Sequence, residues 1–390
     1  MRTTVLLALL TAVAAAHADD GLSYSANLFR SELLADAQSR ETIPADPTYP
    51  SVKVWGYMQF RYVFNHRDDV PDDNDDAIGF QTSRTRLYVD SKITPDISAR
   101  VRFTFNRATG AAGLDQAYGN FNLPDNFKLR IGQFGLPLFR DEYISADKQL
   151  AVNSSPTNIL FNQGQVQGIQ LGREFDSWRF WTAYTDGLRS GNTDFTNPKE
   201  ANFALTGRAE WKIAGEWSRF DDYTSFPGSD FAAMLGGAAH TEQGSQLASG
   251  QFVDNLVYLT ADLGLEGDGW NAFVSGVFTW VDGSTTGWNT LGGFIIQGGF
   301  FISEKTELFA RYDLTFVDPD APDLTDFGTI TAGFNHYFIP ASHALKFTAN
   351  VLYFFDEQAT SPISPDTNVG LLDSTQTGQW VFQAQMQMVF

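Results

Sequence analysis

The chain has 390 residues, no cysteine, 34 phenylalanines and a formal net charge of −20. The lack of cysteine excludes a disulfide scaffold, a thiolate metal site and a cysteine nucleophile. The acidic charge balance argues against a nucleic-acid-binding protein, which needs a basic surface stripe.

The N-terminus has the features of an export signal. Arg2 supplies a positive charge, residues 5–16 form a short apolar stretch, and Ala16-His17-Ala18 is a small-residue cleavage pattern. We therefore predict that residues 1–18 are a signal peptide. No later apolar stretch approaches the roughly 20 residues that a transmembrane helix needs. The exported protein is thus either soluble or a β-barrel in an outer membrane.

Residues 19–51 follow as a mostly polar segment with prolines near its end. Leu28, Leu33, Leu34 and Ala37 could line one face of a short helix, but the segment is too short for a coiled coil. We predict a periplasmic extension.

From Val52 onward, apolar and polar residues alternate with a period of two, which is typical of strands. Sixteen such stretches follow one another, at residues 52–64, 79–92, 97–107, 114–123, 127–135, 166–176, 177–187, 201–213, 230–240, 253–265, 269–282, 288–302, 305–317, 327–338, 343–356 and 378–390. Short turns mostly alternate with longer loops, which is the arrangement of outer-membrane barrels. One exception is 214–229, which is long where a short turn is expected. The sequence therefore predicts an all-β fold, a transmembrane antiparallel β-barrel of about 16 strands over residues 52–390.

Charged residues sort onto one face of these strands. A lipid-facing Arg or Lys near the membrane midplane costs about 2–4 kcal/mol, so charges should point into an aqueous lumen. In the eight clearest strands the proposed lipid faces, including the odd positions of 81–93, carry no charge. The opposite faces are mostly basic, although the chain is acidic overall. The predicted pore-lining residues are Arg61, Arg84, Arg86, Arg100, Arg102, Lys128, Arg130, Arg208 and Lys212.

Clustered arginines repel one another, so some of them should pair with acids. A turn at 93–96 would place Arg86 and Arg102 roughly opposite each other on neighbouring strands. We expect Asp90 and loop carboxylates to be the partners of this basic wall. Arginine suits carboxylate or phosphate groups because its planar fork can donate two hydrogen bonds.

Several stretches together resemble the phosphate-selective O/P-type porins. They are Arg84-Thr85-Arg86-Leu87, Asp115-Gln116-Ala117-Tyr118 and Arg130-Ile131-Gly132-Gln133-Phe134 followed by Pro137, with a C-terminal strand that ends in Phe390 like an outer-membrane assembly signal. The resemblance implies a trimeric porin of 16 strands in the outer membrane of a Gram-negative-type bacterium, with an inward constriction loop at 136–165. Selective members have a constriction rich in Lys and Arg. Here the loop has Arg140 and Lys148 beside Asp141, Glu142 and Asp147, which departs from a dedicated phosphate channel.

We predict passive diffusion of small hydrophilic solutes, with a preference for anions that could include phosphate. The simpler alternative to an anion preference is a general-diffusion pore. The alternative from another class is a barrel without an open pore, acting as a lipid-directed enzyme or as a structural or adhesive protein. No G-x-S-x-G, H-E-x-x-H or P-loop pattern is present, so we predict no enzyme and no cofactor.

The loop at 65–78 is strongly acidic. It contains Asp68, Asp69, Asp72, Asp73, Asp75 and Asp76. Carboxylates are ligands that Ca²⁺ prefers, but the spacing and the closing Glu of an EF-hand are missing. A solvated acidic loop is the favoured interpretation, and a Ca²⁺ site is the weaker alternative.

Overall fold

The structure is a computed structural model that describes residues 49–68, 75–197, 201–246, 252–283, 287–318 and 324–390. The predicted signal peptide, most of the predicted extension, and Asp69, Asp72 and Asp73 of the acidic loop lie outside the described residues. No helix within the described ranges is long and apolar enough to cross a membrane.

The described residues form a closed antiparallel barrel of 16 strands in which each strand pairs with its neighbours in the chain. Strands β1 to β16 run over Ser51–His66, Asp76–Lys92, Ile97–Phe105, Ala112–Asn122, Phe127–Phe134, Val166–Glu174, Trp178–Thr185, Phe203–Ala214, Ala232–Gln246, Phe252–Gly267, Trp270–Gly283, Gly287–Ser303, Thr306–Val317, Phe327–Tyr337, Leu345–Phe354 and Trp380–Val389. The predicted fold class is confirmed. Period-two alternation forms these strands because one face contacts lipid while the other faces the lumen.

The first and last strands close the barrel. Tyr57 of β1 pairs with Val389 of β16, and Gly56 exchanges two backbone hydrogen bonds of 2.7 and 2.8 Å with Phe390. A Cβ atom on Gly56 would lie 2.5 Å from the carbonyl oxygen of Arg86 and 3.0 Å from the Phe390 ring. Glycine at position 56 therefore allows the close approach that seals the barrel.

A β-bulge in β2 corrects one part of the predicted lipid face. Gln59 pairs with Arg84 but Phe60 pairs with Thr82, so Ser83 is the extra residue. An extra residue reverses the alternation of side chains beyond it. The side chain of Ser83 accordingly contacts Arg61 in the lumen. The prediction that odd positions from 81 onward face lipid is therefore wrong at the start of this strand.

The segment between β5 and β6 lies inside the barrel. It contains two short helices, α1 (Arg140–Tyr143) and α2 (Thr157–Phe161), and a 3-10 turn at Ala146–Lys148. Some of its buried apolar residues form a cluster with β5 to β7 and the inner faces of β9 to β12, made of Phe134, Leu136, Leu138, Phe139, Phe161, Val166, Ala183, Ala238, Val253, Leu256, Tyr258, Val277 and Ile295. Others form a second cluster, made of Ile144, Leu150, Ala151, Tyr223, Phe273 and Phe309. We call residues 136–165 the inward loop.

The long connection at 214–229 also folds into the barrel, from the end where the turns are short. It contains a 3-10 turn at Trp217–Asp221, and its Phe220 packs on Ala232 and Met234 of β9. The hydroxyl groups of Thr224 and Tyr337 lie 3.1 Å apart. The segment fills space beneath the inward loop, and this explains its unexpected length. We call residues 214–229 the inward turn.

Candidate pore and its constriction

The lumen has two different walls. The inward loop and the inward turn form hydrogen bonds with residues of β8, β10, β13, β14 and β15. Arginines on β2, β3 and β5 keep exposed surface, and 33% of the Arg100 side chain and 21% of the Arg86 side chain remain accessible. The open side of the lumen is therefore the side that carries these arginines.

Five residues of this open side form what we call the arginine track, namely Arg84, Arg86, Arg100, Arg102 and Arg130. Shared partners link three of them, Arg86, Arg102 and Arg100. Arg86 and Arg102 both approach Asp115, and the guanidinium groups of Arg102 and Arg100 lie 5.7 and 5.4 Å from the Tyr88 ring centroid. Alternation on β2, β3 and β5 brings all five to the lumen face.

The register between β2 and β3 differs from the expected one. Arg102 pairs with Tyr88, and Arg86 pairs with Thr104, so the two arginines are not opposite each other. The last pair of this hairpin is Lys92 with Ser98, which lengthens the turn and displaces the register by two residues. Arg86 and Arg102 are diagonal neighbours instead, and this is why one carboxylate can serve both.

Two acids neutralise part of the track. Arg100 binds Asp90 with two hydrogen bonds of 2.6 and 2.9 Å, while Trp55 donates to the same carboxylate at 2.8 Å. Arg102 binds Asp115 at 2.7 Å. Asp90 was expected as a partner, whereas Asp115 was not, although it lies in the stretch that carries the family resemblance. A β-bulge between β3 and β4 leaves Asp115 without a paired residue, and this irregularity is invisible in the sequence pattern.

Arg84 and Arg130 contact no carboxylate among the described residues. Arg84 donates to Gln59 at 3.1 Å, and Arg130 donates to Asn120 at 2.9 Å. The guanidinium of Arg130 lies 4.4 Å from the Tyr118 ring centroid, which holds it without neutralising it. Five arginines against two close acids leave the open side with an excess of positive charge.

The acids of the inward loop do not all face the arginine track. Asp141 is buried and accepts hydrogen bonds of 2.9 and 2.8 Å from the backbone and hydroxyl of Ser155. Asp147 is also buried and contacts Ser145. Glu142 is half-buried and accepts hydrogen bonds from Asn158 at 2.6 Å and from Asn162 at 3.1 Å. Desolvation raises the pKa of Glu142 above its ordinary value.

The two basic residues of the loop differ in their surroundings. Arg140 is buried, donates to the Phe220 carbonyl oxygen at 2.5 Å and lies 6.0 Å from the Phe273 ring centroid, so it anchors the loop to the inward turn. Lys148 is half-buried at the end of the 3-10 turn.

Four other predicted pore-lining residues lie away from the open wall. Arg61 is buried and donates to Asn153 and to the Asn368 carbonyl oxygen, at 3.1 and 2.5 Å. Arg208 is enclosed with Glu210 and Asp262. The remaining two lie at the short-turn end beside exposed or half-exposed acids, with Lys128 3.8 Å from Glu174 and Lys212 3.8 Å from Glu216. The alternation of side chains predicted that these four residues face the lumen. It could not predict how deep in the barrel they lie or which segments cover them.

The acidic loop has one described contact group. The two ring nitrogens of His66 lie 2.8 Å from Asp76 and 3.4 Å from Asp68. Within the described ranges, no group of three or more metal-ligating side chains is arranged to hold an ion. A Ca²⁺ site at this loop stays a prediction, since three of its six aspartates lie outside those ranges.

Comparisons with known proteins agree with this architecture. Residues 54–221, which include the whole arginine track, match the family model described as phosphate-selective porin O and P. The family resemblance predicted from the sequence is confirmed over these residues. No curated protein sequence matches the chain.

Solved structures show the same fold at low sequence identity. OmpT of Vibrio cholerae matches with a TM-score of 0.58 and 13% identity, over 88% of this chain and 99% of that one. Its in-vitro folded trimer form matches with a TM-score of 0.55 and 12% identity, over 87% and 99%. An anion-selective porin from Comamonas acidovorans matches with a TM-score of 0.58 and 13% identity, over 87% and 100%.

Family and fold together make this chain a channel of the Gram-negative outer membrane and not an enzyme. The short-turn end of the barrel is then periplasmic and the long-loop end extracellular. The inward turn 214–229 enters from the periplasm, and the inward loop enters from the opposite side.

We expect the inward turn to narrow the periplasmic mouth without setting ion preference. Replacing residues 216–228 with a short polar turn should raise single-channel conductance, because the buried Phe220 and Tyr223 would no longer occupy the mouth. The chloride-to-potassium permeability ratio should change little, since the arginine track is untouched. Phe195→Ala, which truncates an exposed extracellular side chain, is the control for a neutral aromatic deletion.

Proposed function

We propose that this porin lets small hydrophilic solutes diffuse across the outer membrane with a preference for anions. The arginine track supports the proposal, because it lies on the open side of the lumen and exceeds its close acids in number. Fixed positive charge in a channel lowers the energy of an anion and raises that of a cation. An anion entering from the periplasm would meet Lys128 at the rim and then the track.

Phosphate is one candidate among these anions. Arg84 and Arg130 keep their guanidinium groups free of carboxylates among the described residues, so both can donate to phosphate oxygens. Glu142, on the inward loop, would oppose a highly charged anion. We therefore propose a moderate preference for small anions in general over tight phosphate binding.

We also propose that the channel is a homotrimer in an outer-membrane lipid bilayer. A trimer form among the structures with the same fold supports this assembly. Chemical cross-linking in mild detergent should yield a species of three chains, whereas a monomer at all cross-linker concentrations would contradict the proposal.

The deciding measurement is the reversal potential of the purified protein in a planar bilayer under a KCl gradient. We expect the reversal potential to shift toward the chloride equilibrium potential, because anions should cross the arginine track more easily than potassium. Adding phosphate to one side should reduce chloride current partially and reversibly. A reversal potential shifted toward the potassium equilibrium potential would overturn the anion preference. The absence of any conductance would favour a barrel without an open pore.

A further inference from the structure

The wall opposite the arginine track is rich in carboxylates. Four of them, Glu210, Asp262, Glu307 and Asp313, project into the lumen from β8, β10 and β13, and each is almost completely buried. We call them the covered acids. If they were exposed, these four acids would outnumber the buried cations of their own wall, Arg208, Arg311 and Lys346, and would favour cations.

The inward loop contacts two of these acids directly. The Tyr143 hydroxyl donates to Glu210 at 2.9 Å. The backbone and hydroxyl of Thr157 donate to Asp313 at 3.3 and 3.2 Å. These contacts replace water around the two carboxylates with groups of the loop itself.

The inward turn completes the cover from the periplasmic side. Glu307 accepts hydrogen bonds from Tyr337 at 2.7 Å and Asn335 at 3.1 Å. The Tyr337 hydroxyl contacts Thr224 of the turn, and Asn335 also donates to the Leu150 carbonyl oxygen of the loop at 3.0 Å. The two inward segments thus enclose Glu307 between them.

Cations of the same wall neutralise part of the covered charge. Arg208 lies 2.7 Å from Glu210 and 2.8 Å from Asp262, and Arg311 lies 3.6 Å from Asp313. The opposite charges of each pair compensate each other because they lie close together. The loop covers these pairs, so passing ions do not reach them.

We propose that the inward loop, although it carries more acids than bases, makes the pore anion-preferring by covering the acidic wall. The loop acts as a charge screen, and ions pass only along the arginine track. This inference rests on the proposed anion preference. It explains that preference by the position of residues 136–165 over the acidic wall and not by the charges of these residues.

The proposal makes a prediction opposite to a simple count of charges. A flexible Gly–Ser linker of equal length in place of residues 140–160 removes three acids and two bases, leaving the loop more positive. Charge counting therefore predicts a stronger anion preference. The screen predicts a several-fold fall in the chloride-to-potassium permeability ratio, because Glu210, Asp262, Glu307 and Asp313 become accessible to passing ions.

Removing the loop both uncovers the acids and widens the pore, and a second variant distinguishes these two effects. Neutralising the covered acids in the linker variant, by Glu210→Gln, Asp262→Asn, Glu307→Gln and Asp313→Asn, should return the ratio toward that of the intact chain. An unchanged or higher ratio in the linker variant alone, or no recovery on neutralisation, would overturn the screen. If the intact chain itself lacks anion preference, the proposed function fails, while the direction of change in the linker variant still decides the inference.

Two point variants of the intact chain decide the matter if the linker variant does not fold. Asp115→Asn and Asp313→Asn each remove one lumen carboxylate, but 14% of the Asp115 side chain is accessible against 1% for Asp313. We expect Asp115→Asn to raise the chloride-to-potassium ratio and Asp313→Asn to leave it unchanged. An equal rise in both variants would show that the loop does not screen the wall.

Discussion

Charge reversal at the two arginines without a carboxylate partner, Arg84→Glu with Arg130→Glu, is expected to turn the channel toward potassium. A unit charge about 8 Å from a passing ion contributes roughly 1 kcal/mol at a dielectric between those of water and a protein surface. Reversal changes the energies of anion and cation in opposite directions. After screening by salt, we expect the chloride-to-potassium ratio to fall at least about tenfold.

A matched control for this double variant is available on the same strand. Lys128→Glu changes the charge by the same amount and lies two residues from Arg130 on the same face of β5, but its side chain is 59% exposed at the periplasmic rim. We expect Lys128→Glu to shift the reversal potential much less. Equal shifts at both positions would mean that the entrance, and not the arginine track, determines ion preference.

The largest effect on stability is expected from Arg208→Met. The Arg208 side chain is fully buried between Glu210 and Asp262, and Tyr143 of the inward loop also contacts Glu210. Removing one partner of a buried ion pair leaves uncompensated charge and costs about 3–5 kcal/mol. Urea unfolding in detergent, followed by the electrophoretic mobility of the folded barrel, should show a much lower midpoint.

Lys212→Met provides the comparison for Arg208→Met. It removes the same charge from the same face of β8, but its partner Glu216 is 85% exposed, so we expect a loss of less than about 1 kcal/mol. Adding Asp262→Asn to Arg208→Met should restore most of the stability, because Glu210 keeps Arg179 as a partner and no buried carboxylate is then left alone. If Arg208→Met unfolds at the same urea concentration as Lys212→Met, the buried network does not stabilise the barrel.

The two walls explain how an acidic protein can favour anions. Net charge is a property of the whole surface, whereas ion preference depends on the charges that line the narrow part of the path. Here the accessible lumen charges belong mainly to the arginine track. The acids of the opposite wall are buried beside Arg208, Arg311 and the inward segments.

The barrel and the lumen position of the arginines follow from the sequence because both depend on local alternation. A lipid-facing charge is costly wherever it occurs, so parity alone predicted that Arg84, Arg100 and Arg130 face the lumen. The same reasoning failed at Ser83, where a bulge reverses the alternation, and in the pairing of Arg86 with Thr104. Bulges and hairpin registers depend on how two strands meet, which a single strand does not encode.

The sequence by itself determined the class of the protein: a porin-like barrel with a basic inner face and a long segment after β5. Only the tertiary structure decided which charges an ion can meet. Arg102 and Arg208 have the same residue type and parity, yet Arg102 lies on the open wall while Arg208 lies in a closed network. The physical reason is that exposure in a lumen depends on segments distant in the chain, here 136–165 and 214–229, which fold back over one wall and leave the other open.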